Sequence, residues 1–178
     1  MDAVTLLRQQ LEMAHQTTEG TMEGTTPEMA HWMPPGKATP LGASYAHVVL
    51  SEDMIVNGML RQQQPLFATS WAGKTGANEM RPNPGGDWSA TYGGWTRQVK
   101  VDLPAMRQYA QAVYAETDRY LSTLTPSDLD RVIDLSSAGM GQQTLGWALS
   151  MLVVGHINNI AGEISCLKGL QGVRGYPF

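Results

Sequence analysis

The sequence predicts an all-α fold, a four-helix bundle with a long irregular insert between helices two and three. Two observations carry that expectation. Four stretches return apolar residues every three or four positions, and no alternating apolar/polar run is long enough for a useful sheet. The last stretch is the clearest: Leu145, Leu149, Leu152, His156, Ile160, Glu163, Leu167 and Leu170 fall on one face of a helix packed into a bundle.

The elements follow in chain order. Val4, Leu7, Leu11 and Ala14 make one apolar face of a first helix over about Ala3 to Thr18. Thr26-Pro27-Glu28 opens a short turn, a cap residue followed by proline at the first helical position. His31 to Gly36 must leave the helix, because it holds two prolines and a glycine. Thr39-Pro40 starts helix two, which reaches about Arg61 with Ala43, His47, Leu50, Met54 and Asn57 inward. From Ser70 to Val101 the period fails among glycines, prolines and the aromatics Trp71, Trp88, Tyr92 and Trp95. Helix three starts near Asp102 with Pro104 in its first turn and carries Leu103, Met106, Ala110, Val113, Thr117, Tyr120 and Leu124. Thr125-Pro126 repeats the cap–proline opening for one short turn, and Arg131 to Leu135 allows a brief extended piece. Glycines 139 and 141 lead into helix four, which ends near Gly169 or Gly172.

Composition bounds the function classes. At 178 residues, positions 1–178 read as a single domain with its own core. A net charge of −4 and the lack of a Lys/Arg run argue against nucleic acid. The longest oily run, near Met151 to Val154, is too short for a membrane span. One cysteine, Cys166, forms no internal disulfide and fits a reducing cytoplasm, and the N-terminus lacks the pattern of a signal peptide. The expected location is cytoplasmic.

Three residues on the inner stripes are wrong for an oily core. His156 and Glu163 stand on helix four, and His47 stands on helix two. Imidazoles and carboxylates projecting into a bundle are raw material for a metal or acid–base site. A core histidine satisfied by a neighbouring hydroxyl, Ser44 or Ser51 for His47, is the structural alternative.

These residues also carry a resemblance. The segment Ala46-His47-Val48-Val49-Leu50-Ser51-Glu52-Asp53 is similar to the H-x-x-x-x-E-D segment of the DinB-like superfamily of bacterial four-helix proteins. So are His156 with Gly162-Glu163-Ile164, the tail Leu167 to Gly172, and the loop Trp32-Met33-Pro34-Pro35-Gly36-Lys37. The resemblance implies a DinB-like bundle with a divalent metal, zinc or nickel, held by three histidines. It further implies transfer of a small molecule with a low-molecular-weight thiol. Carried over by position, His47 and His156 are the first two ligands, and the third falls on Ile160. Ile160 carries no donor, so any metal is expected to bind weakly, with His15 or Asn159 as the nearest substitutes in sequence.

Two function readings stay open at this point. One is a metal-dependent thiol-using transferase with an altered site; the other is a non-catalytic bundle that binds a ligand or partner after losing its metal. Glu163, Trp88 and Trp95 are the expected pocket residues, with at least one of Trp71, Trp88 and Trp95 closing as a lid over His47, His156 and Glu163. The rival role for the insert is the contact of a homodimer.

Overall fold

A computed structural model of the chain describes residues 1–82 and 91–178 in full and residues 88–90 as helix backbone. Side-chain caps start three helices where the sequence places them. The Asp2 carboxylate accepts the Thr5 N–H at 2.9 Å and opens α1, Ala3–Met22. Thr26 accepts the Met29 N–H ahead of α2, Pro27–His31. Asp102 accepts the Ala105 N–H at 3.1 Å and opens α5, Leu103–Ser122. Helix α1 outruns its expected end at Thr18 by a full turn. Thr17, Thr18 and Thr21 break the apolar pattern but are buried there, with Thr18 and Thr21 returning their hydroxyls to the Ala14 and Thr17 carbonyls.

Helix two is α3, Leu41–Asp53, prolonged by a π-helical segment, Met54–Leu60. Helix four is composite as well: α6, Leu145–Ala148, a π segment, Leu149–Gly155, then α7, His156–Leu170. Helix α7 packs on both α1 and α3, and α5 packs on the same two from the other side, which closes a four-helix bundle. The two π segments lie against each other. Between α5 and α6, Val132–Asp134 (β1) pairs antiparallel with Gln142–Thr144 (β2) in a small hairpin. Among the described residues no helix is long and apolar enough to cross a membrane.

The insert is less irregular than its composition predicts. It contains an eleven-residue helix, α4, Trp88–Gln98, despite Gly93 and Gly94. Two glycines cost a helix about 2 kcal/mol together. Burial of Trp95 and Val99, at 5% and 4% exposed, offsets that cost from outside the segment. The ends of the insert are joined by an isolated bridge between Ala77 and Val101 and by the Asp102 N–H donating to Gly76 at 2.8 Å. Gly76 has φ +88°, and a Cβ there would meet the Met106 nitrogen at 2.5 Å. Only glycine lets the two strands of chain approach so closely.

The π segment also turns the inner face of helix four. Successive i→i+5 turns advance fewer degrees per residue than α turns, so the face drifts by about one position. After Leu149 the buried apolar residues are Val153, Ile157, Ile160, Ala161, Ile164 and Leu167. His156 is left half-buried at the edge, and Glu163 is exposed, which corrects its expected place on the inner stripe.

Candidate functional site

His47 and His156 meet between α3 and α7, their Nε2 atoms 3.1 Å apart and their rings nearly perpendicular at 85°. Each comes from a helix whose other residues fix it in the bundle, so the meeting is a consequence of helix packing rather than of a loop. Two neutral imidazoles at this distance share one hydrogen: one ring donates from Nε2 and the other accepts. Burial pushes His47 down to about 3, and the charges of His156 and Arg81 act in the same direction. Burial also lowers His156, helped by Arg81 and opposed by the Glu52 carboxylate. Both rings are therefore neutral near pH 7. The hydroxyl of Ser51 stands 3.5 Å from His47 Nδ1, at the outer limit of a hydrogen bond.

The pair lies on the wall of a cavity of about 400 Å³. Ile55 and Met59 come from the first π segment, Met151 and Leu152 from the second, and Met140 from the hairpin side. Arg81 and Asn159 supply polar atoms beside the histidines. The cavity thus opens where the two π segments meet, and such segments often mark functional sites. Neither sequence period nor composition announces a π segment, which is why Ile55, Met59 and Met151 escape a sequence reading. Arg81 gave no signal either, as a lone cation beside a Pro/Gly-rich stretch.

The other expected pocket residues fall elsewhere. Glu163 and Trp95 lie outside this lining. Partial burial raises the Glu163 carboxyl above its ordinary value. Trp95 is buried in the core and donates its indole N–H to the Glu79 carbonyl at 3.1 Å. The side chain of Trp88 lies outside the described residues. The insert does reach the histidines, but through Tyr92, edge-on to His47 at 4.9 Å, with Trp95 behind it at 5.9 Å.

The acidic pair that follows His47 is accounted for by the fold. Glu52 turns away from His47 toward His15 on α1. The Asp53 carboxylate accepts from Asn57, from the backbone of Leu66 and Phe67, and from the Tyr109 hydroxyl. His31 is structural too: Nδ1 donates to the Pro27 carbonyl and Nε2 accepts the Val101 N–H, pinning the end of the insert.

As a metal site the cavity fits in two positions of three. With bonds of about 2.05 Å, the 3.1 Å nitrogen separation subtends roughly 98° at a shared ion, acceptable for two imidazole ligands. The third place is Ile160, buried at 7% exposed within the hydrophobic core. No three His, Cys, Asp or Glu side chains among the described residues converge on one point. His15, the substitute expected from sequence, is held by Glu52, and Arg81 adds a positive charge to the wall where a cation would sit. The donor set does not make an open three-ligand site.

A family model described as the DinB superfamily matches residues 10–159. No curated protein matches the chain. Among solved structures, the chain is similar to a conserved protein of Enterococcus faecalis, with 21% identity and a TM-score of 0.76. The likeness covers 96% of this chain and 97% of that one, and at this identity it speaks for the fold alone.

Proposed function

The chain belongs to the DinB superfamily, and from that premise we propose that it is a ligand-binding bundle without the three-ligand ion that the resemblance implies. Its ligand is a small, largely apolar molecule with one polar end, taken into the cavity beside His47 and His156. The observation that carries this reading is Ile160, which fills the third ligand position with core-packed hydrocarbon. The rest of the wall supports it. Ile55, Met59, Met140, Met151 and Leu152 give an adaptable apolar lining, while Arg81, Asn159 and the imidazole pair give a few fixed polar contacts.

The convergence of the two Nε2 atoms favours a second reading, a small-molecule transferase using a low-molecular-weight thiol with an altered zinc or nickel site. One pair of titrations separates the two. Octanoate, an apolar chain with an acidic end, should bind saturably by calorimetry and at least about tenfold more weakly in Met59→Asp. One-to-one zinc binding tighter than about 1 µM, lost in His47→Ala, overturns the ligand-binding reading in favour of the transferase. The proposal also includes a cytoplasmic homodimer. Leu6, Met13 and Met151 leave apolar surface in water that pairing would cover, and a monomeric mass in sedimentation removes that part.

A further inference from the structure

The cavity beside His47 carries much of its apolar lining on sulfur. Among the described residues of its wall, Met59, Met140 and Met151 are methionines, brought there by the first π segment, the turn of the hairpin and the second π segment. They differ in access to water. Met59 and Met140 are half-buried, whereas Met151 is 55% exposed. Met151 thus belongs to the cavity wall and to the outer surface at once. The core methionines Met22 and Met106 are wholly buried by comparison.

Exposure matters because a thioether has no proton to lose. Access of the oxidant, and not a shifted pKa, governs its oxidation. Cys166, the chain's one thiol, is exposed on α7 and lies outside this wall.

We propose that Met151 is an oxidation site that controls the cavity: a peroxide converts it to the sulfoxide, and the apolar ligand is released. This inference rests on the ligand-binding reading above. A lone pair of the Met151 sulfur attacks one oxygen of hydrogen peroxide. The S–O bond forms, the O–O bond breaks, and the other oxygen leaves as water. The sulfur is oxidised by two electrons and the peroxide is reduced. The product keeps the length of the side chain but ends in a strongly polar S=O group. Held against an alkyl chain in the cavity, that oxygen is cut off from water, which is costly. Turned outward to water, it takes the side chain off the wall, and the lining loses apolar contact area. Both outcomes weaken the ligand.

The test treats the protein with hydrogen peroxide until peptide mass spectrometry shows Met151 as sulfoxide, and measures octanoate affinity by calorimetry before and after. Met151 also adds to the surface that pairing would cover, so each sulfur is read in the chain as it stands in solution. The reduced chain should bind octanoate, and the oxidised chain at least about fivefold more weakly. In Met151→Leu the same treatment should change affinity by less than about twofold, although Met1, Met13, Met33 and Met80 stay open to the oxidant. Met151→Gln, with a polar end at the same place, should weaken octanoate without any peroxide. Cys166→Ser should respond to peroxide as the wild type does. Methionine sulfoxide reductases acting on both sulfoxide epimers should restore the affinity. Equal affinity before and after oxidation, an undiminished response in Met151→Leu, or a Met151 that stays reduced overturns this inference alone. Failure of the reduced chain to bind octanoate overturns the ligand-binding reading with it.

Discussion

At the residue scale, the chemistry of His47 and His156 follows from being paired and buried while neutral. A histidine whose folded pKa is lowered is no burden above its unfolded value near 6.5. Below that value the unfolded chain takes up the proton that the folded ring refuses, so stability falls with pH. For His47 the window runs from about 6.5 down to about 3, at roughly 1.4 kcal/mol per pH unit. Urea unfolding between pH 7 and 4 should show this decline, and His47→Phe should flatten its slope by about one proton. An unchanged slope would mean that His47 is protonated in the folded chain. Ile160 supports the opposite experiment. Ile160→His places an imidazole one turn beyond His156, and zinc affinity by calorimetry should rise at least about tenfold over wild type. Equal affinity would mean that residue 160 does not face the shared point of the two rings. The pairing of His47 with His156 was legible in sequence, because both stand on apolar stripes at helical spacing. The true inner edge of helix four was not, because the 3.6-residue period that puts Glu163 inward does not hold through the π-helical segment Leu149–Gly155.

At the element scale, the insert shows how burial from outside decides a segment with poor propensity. Nothing local makes Trp88–Gln98 a helix, and the glycines speak against it. Trp95 and Val99 become buried only when the segment lies on the bundle. The caps at Asp2, Thr26 and Asp102 were legible because each needs only its own next three residues, whereas α4 depends on partners far along the chain. Trp95 accordingly belongs to the core; its exposure of 5% leaves little for a partner to touch. Trp95→Ala should lower stability by about 3–5 kcal/mol in urea unfolding and leave the mass in solution unchanged. A change of mass without loss of stability would return this residue to the interface role. Tyr92 of the insert stands edge-on to His47, ring centroids 4.9 Å apart.

At the scale of the whole molecule, apolar stripes bring the helices together and buried polar groups fix how they meet. Glu19 of α1 accepts from Tyr45 of α3 and Tyr114 of α5. Lys168 of α7 donates to the Thr21 and Glu23 carbonyls, closing the C-terminal end of α1. Asp53 is the densest of these junctions. Its carboxylate is wholly buried and takes hydrogen bonds from Asn57 at 2.7 Å, the Leu66 and Phe67 N–H groups at 3.0 Å each, and Tyr109 at 2.6 Å. Four donors from α5, the π segment and the following loop thus depend on one side chain. Their cost when unpaired exceeds what the bonds contribute when made. Asp53→Ala should therefore lose about 3–5 kcal/mol in urea unfolding. Asp53→Asn, with one accepting oxygen left, should fall between that and wild type. Tyr109→Phe removes a single donor and should cost about 1–3 kcal/mol. Because Asp53 lies one turn and a half along α3 from His47 and faces another neighbour, octanoate affinity should survive in any of these variants that remains folded. A loss below about 1 kcal/mol in Asp53→Ala would show that water replaces the carboxylate and that α3 is positioned by its apolar contacts alone.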